Sequence, residues 1–436
     1  MKHPDGNFRK ALTRIFHTAH GGRDGALRRP RAVQARNVRP SGQPPSQGQR
    51  TRRGRRSAPS LPELAGLALS KCKISRFSLG RPAQRVACLS LPLLFSLALT
   101  FGCHKKPPGP DSEKPPGQLK LGYVLHGLND FTQITKQGAE DAGRAEHVSV
   151  EVVGPAGFSA TSDAIAMFEG MTQKKVHGLV VVPMPGEVWV TPIRQATEAG
   201  IPVLTANVTS PGSTATAWFG QDEYESGVIL ATELRKFLSA QKTREGRIIV
   251  GLCAPGVGVL VERYQGFKKG MVGERYQISE PFDVNTENTA NYGAWENLAT
   301  AHPNIVAMVG LCSMDLPNLA KLKVRTKAQW LIGGYDLGRE TLDAVKAGTV
   351  QVVIGQHPYL QGYLPVVALA RYLRQHQPLP QGWLDVGTEV VTRENADAIY
   401  GRETDEKKQT QWYADHVARH FADLNAVAKP LPKPRN

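Results

Sequence analysis

The chain carries a scattered set of groups suited to recognising hydroxyls rather than to covalent chemistry. They are Asn129, Asn207, Asp336 and Gln356, with the aromatic side chains of Phe131 and Trp189. Amides and a carboxylate satisfy neighbouring hydroxyls as paired donors and acceptors, and an aromatic face covers the apolar C–H face of a ring. These residues share a spacing. Each stands at or shortly behind the end of a short apolar run: LKLGYVL before Asn129 and Phe131, GLVVVP before Trp189, PVLT before Asn207. Tyr335 and Ile354 close the runs before Asp336 and Gln356, and Cys312 with Ser313 ends another. Any one of them could equally be a cap or turn residue; the recurrence carries the reading. The expected ligand is a polyhydroxylated small molecule, contacted by Asn129, Phe131, Trp189, Asn207, Cys312, Asp336 and Gln356, with Met184 as a further wall.

Enzyme chemistry finds no footing. There is no Gly-x-Ser-x-Gly, no phosphate loop ending in Gly-Lys-Ser/Thr and no His-Glu-x-x-His. Gly256-Val257-Gly258 follows an apolar run, but with no third glycine it reads as a turn. No cofactor is called for. The five cysteines include no CxxC and no Cys/His spacing for a metal. Cys253 and Cys312 follow runs expected to be neighbouring strands, so they could approach each other; two buried thiols are the expectation.

The elements that must position these groups alternate. Short apolar runs at 119–125, 148–153, 178–183 and 202–205 are separated by amphipathic stretches at 131–145, in the 160s and at 193–199. Thr161 or Ser162 is the expected cap of the second. The cycle restarts after helix 224–240, with runs at 247–253, 277–280, 305–311, 329–335 and 351–356. Fully apolar runs such as GLVVVP are expected of strands covered by helices on both faces. Two series of such units predict an α/β chain of two doubly wound parallel sheets, with ligands bound beyond the carboxyl ends of the strands.

Charge divides the chain. Lys and Arg exceed Asp and Glu by 16 overall, yet residues 1–85 alone hold 20 basic and 3 acidic residues, and residues 103–436 sum to −1. The folded part is therefore not a basic nucleic-acid binder. Residues 1–80, rich in Arg, Gly, Pro and Ser, have too little apolar content to offset ordering entropy and read as a disordered basic leader. A basic arm for RNA or anionic lipid is one use; a mis-assigned start is the other. Val86–Phe101 is a 16-residue uncharged run behind Arg81 and Arg85, short of the roughly 20 residues a spanning helix needs. A basic flank, a short apolar core and a small residue before the cut have the layout of a secretory signal. Cys103 behind Gly102 makes residues 81–102 resemble a bacterial lipoprotein signal, with Cys103 as the lipidated first residue. A plain cleaved signal and a short anchor are the alternatives. Thr100 stands where such signals prefer Leu. No Met lies between Met1 and Met167, so translation is expected to start at a non-Met codon near residues 61–79. Five prolines in residues 104–118 predict a stiff tether.

The folded part resembles the type I periplasmic sugar-binding proteins, near ribose-binding protein and the effector-binding core of the lac-repressor family. The likeness covers residues 119 to about 398 and rests on segments in order. They include Leu121-Gly122-Tyr123-Val124 with Asn129-Asp130-Phe131, Gly138-Ala139-Glu140, Ala199-Gly200-Ile201-Pro202-Val203 and Gly220-Gln221-Asp222. Glu262-Arg263-Tyr264-Gln265-Gly266-Phe267, Gly334-Tyr335-Asp336, Gln356-His357-Pro358-Tyr359 and Thr392-Arg393-Glu394-Asn395-Ala396 continue it. The resemblance implies two lobes, 119–220 with 357–385 and 221–356 with 386–400, joined by a three-strand hinge. Residues 401–436 form an extension with no functional account. Asn129, Phe131, Asp336 and Gln356 match binding positions of the family. Three positions depart: Asn207-Val208 replaces an Asp-Arg pair, Val261 an Arg, and Cys312-Ser313 an Asn-Asp pair. With two bidentate arginines gone, the pocket is expected to be less charged and more apolar than a ribose site.

The implied function is that of the substrate-binding lipoprotein of an ABC-type importer. It would be a monomer on the periplasmic side of the cell envelope, with a sugar or polyol ligand, an ABC permease as partner and no nucleic acid. A receptor feeding a sensor kinase or a chemotaxis protein uses the same fold, as does a lac-repressor-like regulator. The last needs a helix-turn-helix, and the leader shows no such periodicity.

Overall fold

The computed structural model describes residues 118–157, 160–241 and 245–432. The leader, the signal-like segment, Cys103 and nearly all of the Pro-rich tether lie outside the described residues.

The alternation builds two sheets. The first has β1 (Lys120–Val124), β2 (Ser149–Val153), β3 (Gly178–Val181), β4 (Val203–Ala206) and β5 (Ala217–Gly220). Between them lie α1 (Asp130–Ala145), α2 (Thr161–Gln173) and α3 (Val190–Glu198). The second has β6 (Gly246–Leu252), β7 (Tyr276–Ile278), β8 (Phe282–Asp283), β9 (Ile305–Gly310), β10 (Leu331–Tyr335) and β11 (Val352–Gly355). Its helices are α4 (Glu223–Ala240), α5 (Gly258–Gly270), α6 (Asn288–Ala301), α7 (Asp315–Thr326) and α8 (Arg339–Lys346). The chain then returns through α9 (Pro358–Gln375) to β12 (Gly382–Asp385) in the first sheet, and crosses again to β13 (Glu389–Val391) in the second. It closes with α10 (Ala396–Glu403), α11 (Glu406–His420) and α12 (Leu424–Val427).

The first sheet runs β12-β5-β4-β3-β1-β2, all parallel. The second runs β13-β11-β10-β9-β6-β7, with β13 antiparallel at its edge and β8 pairing the far end of β6. Strand order reverses between β1 and β3 in one sheet and between β6 and β9 in the other, so each sheet has a switch point where loops splay apart and leave a crevice. β3, β4 and β11 are buried at every residue, as helices on both faces require.

Paired glycines set the helix packing in each lobe. A Cβ on Gly138 of α1 would stand 2.1 Å from the Tyr359 carbonyl oxygen, and one on Gly362 of α9 would stand 1.9 Å from that of Thr135. In the second lobe a Cβ on Gly227 of α4 would meet the Arg263 carbonyl at 2.2 Å, and one on Gly266 of α5 the Tyr224 carbonyl at 1.9 Å. Backbone therefore meets backbone at both crossings, and the second brings Glu223 and Arg263 together.

The chain passes between the sheets at 221–222, at 356–357 and at 386–388. These crossings bond to one another: Thr388 Oγ1 donates to Gln221 Oε1 at 2.9 Å, and Val386 N to Gly220 O at 3.2 Å. The extension lies across them. Tyr413 of α11 stacks on Tyr359 of α9 with ring centroids 4.4 Å apart. Thr410 Oγ1 donates to Asp141 of α1 at 3.4 Å. Gln409 Nε2 donates at 2.6 Å to Glu403 of α10, whose Arg402 bonds Glu389 of β13. Lys429 pairs with Trp383 in an antiparallel bridge beside β12. The second sheet, the hinge and the first lobe are thus joined by one strap of chain.

Two local expectations are corrected. α2 takes Ala160 as its N-cap with no side-chain cap bond; Thr161 Oγ1 donates instead to the Met184 carbonyl at 3.3 Å. Cys253 and Cys312 are not free thiols: they form a disulfide, with an S–S distance of 2.08 Å. They follow β6 and β9, which pair directly, and their Cα atoms stand 6.1 Å apart, within the span a disulfide needs.

Candidate ligand-binding site

At the facing switch points lies a small cleft with a cavity volume of about 60 Å³. One lobe lines it with His126, Asn129, Phe131, Met184 and Asn207, the other with residues including Arg263, Cys312, Ser313 and Asp336, and the hinge with Gln356.

Each polar group has a local reason for its place. Asn129 is the N-cap of α1: its Oδ1 accepts from Thr132 N at 2.9 Å, and Thr132 Oγ1 closes the capping box. The cap uses the amide oxygen, so the NH2 group is what the residue has left to offer. Asn207 and Asp336 follow β4 and β10 with φ of 60° and 75°, a left-handed turn that short polar side chains tolerate best. The turn re-aims both chains at the ends of their strands.

A bonded series spans the two lobes. Asn207 Nδ2 donates to Gln356 Oε1 at 3.3 Å, and Gln356 Nε2 donates to Asp336 Oδ1 at 2.6 Å. Arg263 Nη2 also donates to Gln356 Oε1, at 3.0 Å. The guanidinium is otherwise held by Glu223, at 2.6 Å from Nε and 3.0 Å from Nη2, and by the Leu311 carbonyl at 2.9 Å. It lies 4.2 Å from the Tyr335 ring centroid. The buried charge is thus paired, stacked and hydrogen-bonded, the conditions under which burial is tolerated. It orders the site more than it projects a free fork into it. What remains open at this end are two acceptors, the second carboxylate oxygen of Asp336 and the side-chain amide oxygen of Asn207, and the second N–H of the Asn207 and Gln356 amides; the Asn207 backbone carbonyl is taken by Trp218 Nε1 at 3.1 Å.

Burial shifts the titrations. Desolvation pushes the Asp336 carboxyl up to about 6, against the opposing pull of Arg263 and the Gln356 hydrogen bond, although Asp336 keeps some surface toward the cleft. Desolvation pushes His126 down to about 4, so its imidazole is neutral at pH 7. Behind the wall, Asp315 is pushed up to about 6 by burial. Its carboxylate accepts from Cys312 N at 2.8 Å, Asn291 Nδ2 at 2.7 Å and Trp295 Nε1 at 3.1 Å, which fixes the turn carrying Cys312 and Ser313.

The structure brings Asn129, Phe131, Asn207, Cys312, Asp336 and Gln356 to one cleft. Trp189 is not among its lining residues. It ends a 3-10 turn at Gly186–Trp189 that turns its ring into the core, fully buried and edge-on to Phe168 at 5.7 Å. Arg263 and His126 line the cleft without having been among the expected contacts. For Arg263 the sequence held a signal: Leu260, Arg263, Tyr264 and Phe267 recur at helical spacing, which puts a cation on the apolar face of α5, and all four are buried.

Among the described residues, no helix is long and apolar enough to cross a membrane, and no group of three or more His, Cys, Asp or Glu could hold a metal ion.

Known proteins match this architecture. A family model described as periplasmic binding protein domain matches residues 121–377. The xylose/arabinose-binding protein XylF of Sulfolobus acidocaldarius is 23% identical over 297 residues, 63% of this chain and 71% of that one. The ribose import binding protein RbsB of Bacillus subtilis is 24% identical over 288 residues, 64% of this chain and 91% of that one. Among solved structures, an ABC transporter solute binding protein from Burkholderia graminis in complex with D-arabinose superposes with a TM-score of 0.60. It is 23% identical, and the match covers 64% of this chain and 96% of that one. With two doubly wound lobes, three crossings and a family match over most of its described residues, this chain belongs to the periplasmic binding protein family.

Proposed function

We propose that the chain is the substrate-binding lipoprotein of an ABC-type importer, holding a monosaccharide or related small polyol between lobes that close about the hinge. One observation carries the reading: the Asn207–Gln356–Asp336 series runs from one lobe through the hinge to the other and leaves polar groups for ligand hydroxyls at both ends, the side-chain oxygen of Asn207 and the second carboxylate oxygen of Asp336 among them. A ligand that donates to both draws the lobes together, which is hinge closure by differential contact. Support comes from relatives whose names state sugar binding or ribose import, and from the neighbour crystallised with D-arabinose. The Cys253–Cys312 disulfide supports export, because such bonds persist in oxidising compartments. Cys103 supplies the lipid anchor on the periplasmic side of the envelope, and the folded lobes act as a monomer on an ABC permease.

The test is a thermal-shift screen of pentoses, hexoses and polyols, with isothermal titration of any hit. A cognate sugar at 100 times its Kd should stabilise the protein by about 2.7 kcal/mol. A protein that no sugar or polyol stabilises would end this reading. Fatty-acid labelling lost in Cys103→Ala and kept in the unchanged chain would establish the anchor; labelling in neither would remove it.

A further inference from the structure

The cleft is chemically two-sided. At the hinge, Asn207, Gln356 and Asp336 form the polar series. Where it borders a second recess, its wall is Met184, Val257 and Cys253, the last joined to Cys312 of the same lining by the disulfide. Met184, Cys253 and Val257 line both this cleft and the larger outer recess beyond it, so they form the partition between the two. That recess is also lined by Asp283, Asn285 and Thr286, none of which lines the cleft, and it is open to water. The partition keeps those polar groups away from the ligand.

The partition offers a ligand almost nothing to bond. Valine has no polar atom, a thioether is a weak acceptor, and the disulfide has no S–H to donate. The Cys312 sulfur already accepts from Cys253 N at 3.1 Å. A hydroxyl pressed against this wall surrenders its water without a replacement partner, whereas a methyl group gains contact with polarizable sulfur. At the other end the open groups are neutral amide N–H groups and oxygen acceptors, and the buried guanidinium of Arg263 is committed to Glu223, the Leu311 carbonyl and Gln356. No cation at that end is left to clamp a carboxylate or phosphate. The complementary molecule is neutral, hydroxylated at one end and methyl-terminated at the other.

We propose that the solute is a 6-deoxyhexose, seated with ring hydroxyls toward Asp336 and Asn207 and its C6 methyl on the wall of Met184 and the Cys253–Cys312 disulfide. This rests on the proposed function, since it names which sugar that site takes. Asn129 and Ser313 meet the middle of the ring.

Isothermal titration of the full chain, purified without reductant, tests it with matched pairs. These are L-rhamnose and L-mannose, L-fucose and L-galactose, D-fucose and D-galactose, and 6-deoxy-D-glucose and D-glucose, with D-ribose, D-arabinose and D-xylose alongside. The tightest ligand should be a 6-deoxyhexose, bound roughly ten- to a hundred-fold more tightly than its parent, the range over which an apolar pocket rejects an added hydroxyl. A parent hexose binding as well as its deoxy partner, or a pentose binding tightest, overturns the inference while leaving the sugar-binding reading standing. If none binds, the inference falls, and the wider screen of sugars and polyols decides the proposed function. Met184→Gln, with its fold checked by ligand-free melting, places an amide in the wall and should narrow the deoxy-to-parent ratio at least five-fold. An unchanged ratio places the methyl elsewhere and overturns the proposed seat.

Discussion

Gln356 donates to Asp336 at 2.6 Å, so the hinge and the second lobe meet in a hydrogen bond inside the cleft. The bond uses one carboxylate oxygen and leaves the other for a ligand. Asp336→Ala should therefore remove ligand-dependent thermal stabilisation. A charged hydrogen bond contributes about 1.5–3 kcal/mol, so the Kd should rise roughly ten- to a hundred-fold or more. Normal stabilisation of the variant by the cognate sugar would mean the cleft has been misread.

The same carboxyl gives binding a pH dependence. With its pKa pushed up to about 6, Asp336 loses acceptor capacity as pH falls through 6. Ligand affinity should drop from pH 7 to pH 5, and Asp336→Asn should flatten that profile. Titrations at three pH values read it directly.

Stability responds with the opposite sign. The folded pKa lies above the ordinary 3.8, so between about 4 and 6 the native state binds more protons than the unfolded one. That gives stability lost as pH rises through this window, on the order of 3 kcal/mol. Asp315 acts in the same direction. His126 and His357, both pushed down to about 4 by burial, act in the other, since they must charge as pH falls below 6.5. These four contributions oppose one another, so the whole-protein slope does not report Asp336 alone. The difference between the unchanged chain and Asp336→Asn isolates one group: relative to the variant, the unchanged ligand-free protein gains stability from pH 7 down to pH 4. Denaturant melts at each pH check the sign.

The disulfide closes a loop of 59 residues between the ends of β6 and β9. Its loss frees the unfolded chain by about 4 kcal/mol in the loop-entropy description. Reduction with a dithiol should lower the melting temperature and weaken ligand binding, because both sulfurs stand in the cleft wall. Unchanged melting after confirmed reduction would contradict this.

Helix crossings offer a mutation outside the cleft. In Gly266→Ala the new Cβ would lie 1.9 Å from the Tyr224 carbonyl, backbone that cannot step aside cheaply. Overpacking of this kind costs about 1–3 kcal/mol. Since α5 also carries Arg263, ligand affinity should fall with stability. A denaturant midpoint equal to that of the unchanged chain would refute the account of the packing.

Much of this architecture was legible because parallel strands buried on both faces are nearly all apolar, and GLVVVP or RIIVGLC leave little room for another reading. β5, β12 and β13 were not, since three or four residues carry no period and become strands only through their neighbours. α7 opens with Asp315 and contains Pro317, which broke its helical pattern. The ends of strands pointed to Asn129, Asn207, Asp336 and Gln356. They could not reveal which side of the sheet a 3-10 turn would send Trp189 to, nor, although β6 and β9 were expected to be neighbours, that Cys253 and Cys312 would stand close enough to oxidise. Those depend on tertiary geometry, which the sequence does not state locally.

The strap over the hinge has a practical consequence. Trp412 lies between the two parts that must move: the Arg402 guanidinium covers its ring at 4.2 Å, and the His357 ring at the hinge crossing stacks on it at 5.8 Å. A charge and an imidazole this near quench or shift indole emission according to their distance. The protein therefore contains its own optical reporter of lobe angle, placed away from the ligand. Trp412→Phe should leave ligand affinity near normal while removing most of the fluorescence change on binding.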